Sequence, residues 1–116
     1  MLVDWERVKT IADPDNPDDK EWLLEMIQSL EEDINQKVEE LSGLYINGDL
    51  AKLQASLHQV KGVSANFGLI ELQQLSFQAE TEVKAKNLSG SEVFLNKIPI
   101  LWEETLQELR RKFPKE

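Results

Sequence analysis

This 116-residue chain holds a single histidine, His58, and histidine is the residue type whose unperturbed side chain can change charge near neutral pH. An imidazole can serve as acid, base, metal ligand or nucleophile, and its neighbours decide which. A lone histidine excludes paired-histidine metal sites and argues against a helical di-iron bundle. The absence of cysteine removes thiol chemistry, disulfides and thiolate zinc sites. No carboxylate pair stands out as a metal or hydrolase centre, so the acidic residues read as a solvated face and no metal site is expected. What remains is nucleophilic or acid–base work by His58 itself.

The neighbours favour the nucleophile. On a helix beginning near Asp49, Leu50, Leu53, Leu57, Val60 and Phe67 spread over the side and back, away from His58. The strip that His58 shares holds Ala51, Ala55, Gly62 and Ala65, with Gln54 and Lys61 flanking it. Glycine inside an exposed helix costs roughly 1 kcal/mol relative to alanine. Gly62 therefore makes sense where something must approach the ring from outside, one turn away. Lys61 lies beside His58 on the helix surface, where its ammonium disfavours a second positive charge and favours an anion. This suits a neutral imidazole attacking an electrophilic phosphoryl group, whose charge Lys61 partly neutralises. The competing reading is an incidental surface histidine; against it, ordinary solvated faces carry Glu, Lys and Gln rather than bare alanine.

The elements that must hold this strip are helical. Asp13-Pro14-Asp15-Asn16-Pro17-Asp18-Asp19 breaks the chain with turn formers, followed by acidic residues suited to a helix start. From Lys20 onward Leu23, Ile27, Leu30, Ile34, Val38, Leu41 and Tyr45 form one apolar face over about six turns. Asn47-Gly48 is a turn, and the His58 helix follows it, ending near Gly68, which suits a C-terminal cap. A third helix runs from Leu69 to about Ala85 on Leu72, Leu75, Ala79 and Val83. Asn87–Ser91 reads as a loop and a plausible start for a fourth helix on Phe94, Ile98, Leu101, Leu109 and Phe113, with a kink or restart at Pro99. Asp4–Ala12 is a short helix lying across one end. The fold class is all-α: an up-down-up-down antiparallel four-helix bundle with a short N-terminal helix, in a single domain over residues 1–116.

The formal charge of −9 argues against nucleic acid and anionic lipid as partners. No window approaches the roughly 20 apolar residues that cross a bilayer, and no signal peptide is apparent at Met1–Arg7. A cytoplasmic monomer is expected, or a nuclear one in a eukaryote, either free-standing or excised from a longer chain.

The segment His58-Gln59-Val60-Lys61-Gly62-Val63-Ser64-Ala65-Asn66-Phe67-Gly68 resembles the signature of histidine-containing phosphotransfer (HPt) domains, His-x-x-Lys-Gly-[Ser/Ala]-[Ser/Ala]-x-x-x-Gly. His58, Lys61, Gly62, Ser64 and Gly68 match it, and Val63 departs from the usual small residue. The resemblance implies a phosphorelay intermediate of two-component signalling, in which the histidine takes a phosphoryl group from a receiver-domain aspartate and passes it to another. It implies response-regulator receivers and a hybrid sensor histidine kinase as partners. No cofactor is implied on this chain, the magnesium ion belonging to the receiver. The family uses Nε2 of the imidazole, with Nδ1 often held by a polar side chain of the following helix. Glu80 is the favoured candidate for that role, with Gln73, Gln74 and Gln78 as alternatives. Ser64 could bond near the site, although its place on the wheel equally suits a local backbone role. Gln54, Ala55 and Ala65 are expected to frame the docking face, with Leu24 and Met26 as apolar additions or, alternatively, as a widened core stripe. No nucleotide-cradling loop is present in the sequence, so autophosphorylation from ATP is not expected. The rival class is a helical interaction module that binds a partner with the same bare face and is never phosphorylated.

Overall fold

Four of the five helices begin where a short polar side chain precedes an apolar period. The computed structural model describes residues 1–115. Asp4 accepts the amides of Glu6 and Arg7 to start α1 (Trp5–Ile11), and Asn16 accepts those of Asp18 and Asp19 to start α2 (Pro17–Ile46). Pro17 at the head of α2 loses no needed hydrogen bond, because first-turn amides have no helical partner. Asp49 caps α3 (Leu50–Phe67), α4 (Ile70–Lys84) follows after Leu69, and Asn87 caps α5 (Leu88–Lys112).

The four long helices close into an all-α bundle: α2 packs on α3, α3 on α4, α4 on α5, and α5 back on α2. Cross-helix pairs show the direction of two of these contacts. Tyr45 meets Leu88 and Glu92, Asn35 meets Trp102, and Gln28 and Glu31 meet Arg110, so α2 and α5 run antiparallel. On the other side His58 meets Glu80 and Lys61 lies over Phe77, so α3 and α4 also run antiparallel. The core takes the expected stripes: Leu23, Ile27, Leu30, Ile34 and Leu41 from α2, Leu53, Leu57, Val60 and Phe67 from α3, and Leu72, Leu75, Ala79 and Val83 from α4. Leu24 and Met26 are half-buried against this core, so they widen the α2 stripe and do not form an exposed apolar patch.

Two expectations about α5 change. The fourth long helix does start in this segment, at Leu88, so that Leu88–Ser91 is helix rather than loop, with Asn87 Oδ1 accepting the Gly90 amide and Ser91 buried against the bundle. Pro99 neither stops nor restarts the helix. Leu95 and Ile98 before it and Trp102 and Thr105 after it are all buried, so tertiary packing carries the helix across one missing amide.

The turn after α3 fixes the far end of the helix that carries His58. Gly68 has φ of +77°, and the Ser64 carbonyl accepts both the Gly68 and Leu69 amides. The Gly68 carbonyl in turn accepts the Asp4 amide at 2.7 Å, seating α1 over this turn. A Cβ at residue 68 would lie 2.9 Å from the Asp4 carbonyl oxygen and 3.1 Å from Arg7 Cβ. Gly68→Ala thus combines a disfavoured backbone with a clash, and a loss of about 1–3 kcal/mol is expected. Urea unfolding checks this: the midpoint should fall while the slope stays unchanged.

Candidate functional site

The apolar register of α3 sends His58 outward. Leu57 and Val60 are fully buried on either side of it in sequence, whereas the imidazole is 66% exposed. Ala51, Ala55 and Gly62 are on the same strip, Ala51 exposed, with Gln54 and Ala65 half-buried at its edges. A Cβ built on Gly62 would meet nothing within 4 Å. Packing inside the bundle therefore places no demand for glycine at this position, and the open space lies on the outer side.

Behind the ring stands a buried charge. Glu80 on α4 is only 3% exposed, and its Oε2 lies 3.0 Å from His58 Nδ1. Its other oxygen, Oε1, accepts a hydrogen bond from Lys61 Nζ at 2.6 Å. Lys84, one turn further along α4, brings its ammonium to 3.7 Å from Oε2. Burial pushes the Glu80 carboxyl up, but Lys61, Lys84 and the hydrogen bond from His58 outweigh it and hold the group below its ordinary value of 4.5. An ionised carboxylate can only accept, so Nδ1 of the ring must donate. In the neutral ring the lone pair then sits on Nε2, away from Glu80.

Lys61 is consequently not a free cation beside the imidazole, as its spacing alone would have it. Glu80 stands between the two and shares one oxygen with each. Ser64 does not join them: its side chain is fully buried, and its hydroxyl finds no hydrogen-bond partner among the described residues. Of the α4 candidates, Gln74 and Gln78 face a groove against α5, and it is Glu80 that reaches the ring. Two neighbours escaped the sequence reading. Phe77 is exposed with Lys61 Nζ 5.5 Å from its ring centroid, and Lys84 lines the hollow beside His58. The available signal was helical spacing from Glu80, three residues back and four forward.

The carboxylates also set the acid limit of stability. A folded pKa below the unfolded one stabilises the protein above the unfolded value, and that contribution is lost as pH falls through the folded value. Glu80 contributes in this way. So does Glu31, where burial pushes the carboxyl up but Lys115 and Arg110 hold it below 4.5. Stability should therefore decline as pH drops below about 4.5. Glu80→Gln should be less stable at neutral pH, with a shallower acid decline; equal slopes for the two proteins in pH-dependent urea titrations would contradict this.

No helix among the described residues is long and apolar enough to cross a membrane. In comparison with known proteins, a family model described as Hpt domain matches residues 22–112, spanning all of α3, α4 and α5 and most of α2. No curated protein and no solved structure matches the chain.

Proposed function

We propose, since this chain belongs to the Hpt domain family and so to two-component phosphorelay, that His58 Nε2 is its phosphoryl acceptor and donor. The observation that carries this reading is an exposed imidazole whose inner nitrogen donates to a buried carboxylate. A receiver domain presents its aspartyl phosphate to the bare strip of α3. Nε2 attacks phosphorus in line, the P–N bond forms, and the P–O bond breaks with its electron pair returning to the receiver aspartate. The ring gains positive charge as the bond forms, and the Glu80 carboxylate at Nδ1 offsets it. Attack by a second receiver's aspartate reverses these steps and frees the imidazole.

Each part of the chain has a role in this scheme. Glu80 orients the ring, and Lys61 keeps that buried carboxylate ionised. Gly62, Ala55 and Ala65 leave room for a partner, while Gln54 offers a polar contact at the edge. The magnesium ion that spreads charge during transfer belongs to the receiver, as does the acidic pocket around it. This chain acts as a carrier, fed through a hybrid sensor kinase and working as a cytoplasmic monomer without an ATP site of its own.

A two-receiver exchange tests the scheme. A phosphorylated receiver is mixed with an unphosphorylated one, with and without this protein. Movement of label between receivers only when the protein is added, through an acid-labile and base-stable intermediate, is the expected result. Binding to receivers without label ever appearing on the protein would favour the interaction-module reading instead.

A further inference from the structure

The Lys-Gly pair of α3 draws attention to Lys61 as the cation that meets the phosphoryl group, yet the geometry commits Lys61 elsewhere. Its ammonium lies 2.6 Å from Glu80 Oε1 and 5.5 Å from the Phe77 ring centroid, and the side chain is only 23% exposed. Drawing it outward would leave a buried carboxylate without its nearest partner, which is among the costlier changes a folded protein can undergo. Lys84 is placed differently. It is 54% exposed, and its 3.7 Å approach to Glu80 Oε2 is a loose pairing of the kind that contributes little. Together with His58, Gln54 and Ala55 it lines one open hollow. The Glu80 oxygen that it faces is the one that bonds His58 Nδ1, so its ammonium stands two short steps from the ring.

We infer that Lys84 is the responding cation of the site, the residue that swings from Glu80 to an anionic phosphoryl group at His58 Nε2. The inference rests on the reading of His58 as phosphoryl acceptor and gives Lys84 a direct phosphoryl-binding role within it. Lys61 then serves the resting site, holding Glu80 in place. Lys84 serves the charged one, drawing in the anionic donor and neutralising the group once it is attached. The low cost of releasing Lys84 from Glu80 decides between the two.

Phosphoramidate, a small anionic donor, tests this without a receiver. Nε2 attacks its phosphorus, the donor's P–N bond breaks, and ammonia leaves. Labelling of the full chain is followed by its mass increase at low and high salt, for wild type, Lys84→Gln, Lys84→Arg and Lys61→Gln. Lys84→Gln should label about two- to fivefold more slowly at low salt, the scale of one exposed charge interaction. The deficit should shrink at high salt, and Lys84→Arg should restore the rate. Melting temperature should be unchanged in both Lys84 variants and lowered in Lys61→Gln. Wild-type labelling with an unchanged rate in Lys84→Gln would overturn the role of Lys84 and leave the acceptor reading standing. No labelling of His58 in the wild type would overturn both.

Discussion

Protein carrying His58→Gln is expected to take no phosphate from any phosphorylated receiver, while folding as the wild type does. The loss should be complete, because glutamine offers no nucleophilic nitrogen and the chain has no second histidine. The fold should be indifferent, because the imidazole is largely solvent-exposed and packs no core. Glu80 loses one hydrogen bond but keeps Lys61 and Lys84. A loss of no more than about 0.5–1.5 kcal/mol in unfolding free energy, the scale of one hydrogen bond, is therefore expected. Acid-labile label on this variant would move the phosphoryl group to another residue and remove the basis of the account.

Gly62→Gln should have the second largest effect, and it separates docking from chemistry. Beyond the local backbone of α3, no atom of the described residues lies within 4 Å of a Cβ at this position, and glutamine is a better helix former than glycine by roughly 0.5–1 kcal/mol. The variant should fold at least as well as the wild type. Its side chain would nonetheless stand one turn from His58 on the face a receiver must cover. Transfer from a receiver is expected to fall about a hundredfold, roughly 3 kcal/mol of lost complementarity. Labelling by phosphoramidate, which needs no protein–protein contact, should change by less than about twofold, since no charge is altered. Equal loss with both donors would mean that the glutamine disturbs the ring itself. Unimpaired transfer from a receiver would mean that the face near Gly62 lies outside the contact.

How much of this could be read from the chain differs element by element. The α2 and α3 stripes were legible because their apolar residues recur with helical period and have no competing use. Gly68 was legible as a cap, since a glycine directly after a long helical run readily takes the left-handed conformation that ends it. A restart at Pro99 did not follow, because a local rule about one missing amide says nothing of the buried side chains on both flanks that carry α5 through it. Leu88–Ser91 misled for a related reason: Gly90 and the flanking serines have weak helix propensity, and the Asn87 cap with the buried Ser91 overrides it. Within the site, outward placement of His58 followed from the wheel alone. The link through Glu80 required a second helix, whose rotation about its own axis no spacing within α3 encodes. For that reason Lys61 looked like a neighbour of the ring, whereas it shares a carboxylate with it. Lys84 and Phe77 were legible only through their helical spacing from Glu80, whose own approach to the ring depends on how α4 is turned against α3.

Nitrogen-resolved NMR of the His58 ring, before and after phosphorylation by a receiver, tests the central claim most directly. Before transfer the ring should carry its proton on Nδ1, and that resonance should shift in Glu80→Gln. After transfer the spectrum should show coupling of phosphorus to Nε2, with Nδ1 still protonated. Phosphorus bonded to Nδ1, or a ring that stays unmodified while the label resides elsewhere, would contradict an imidazole held from behind and attacking from its exposed edge.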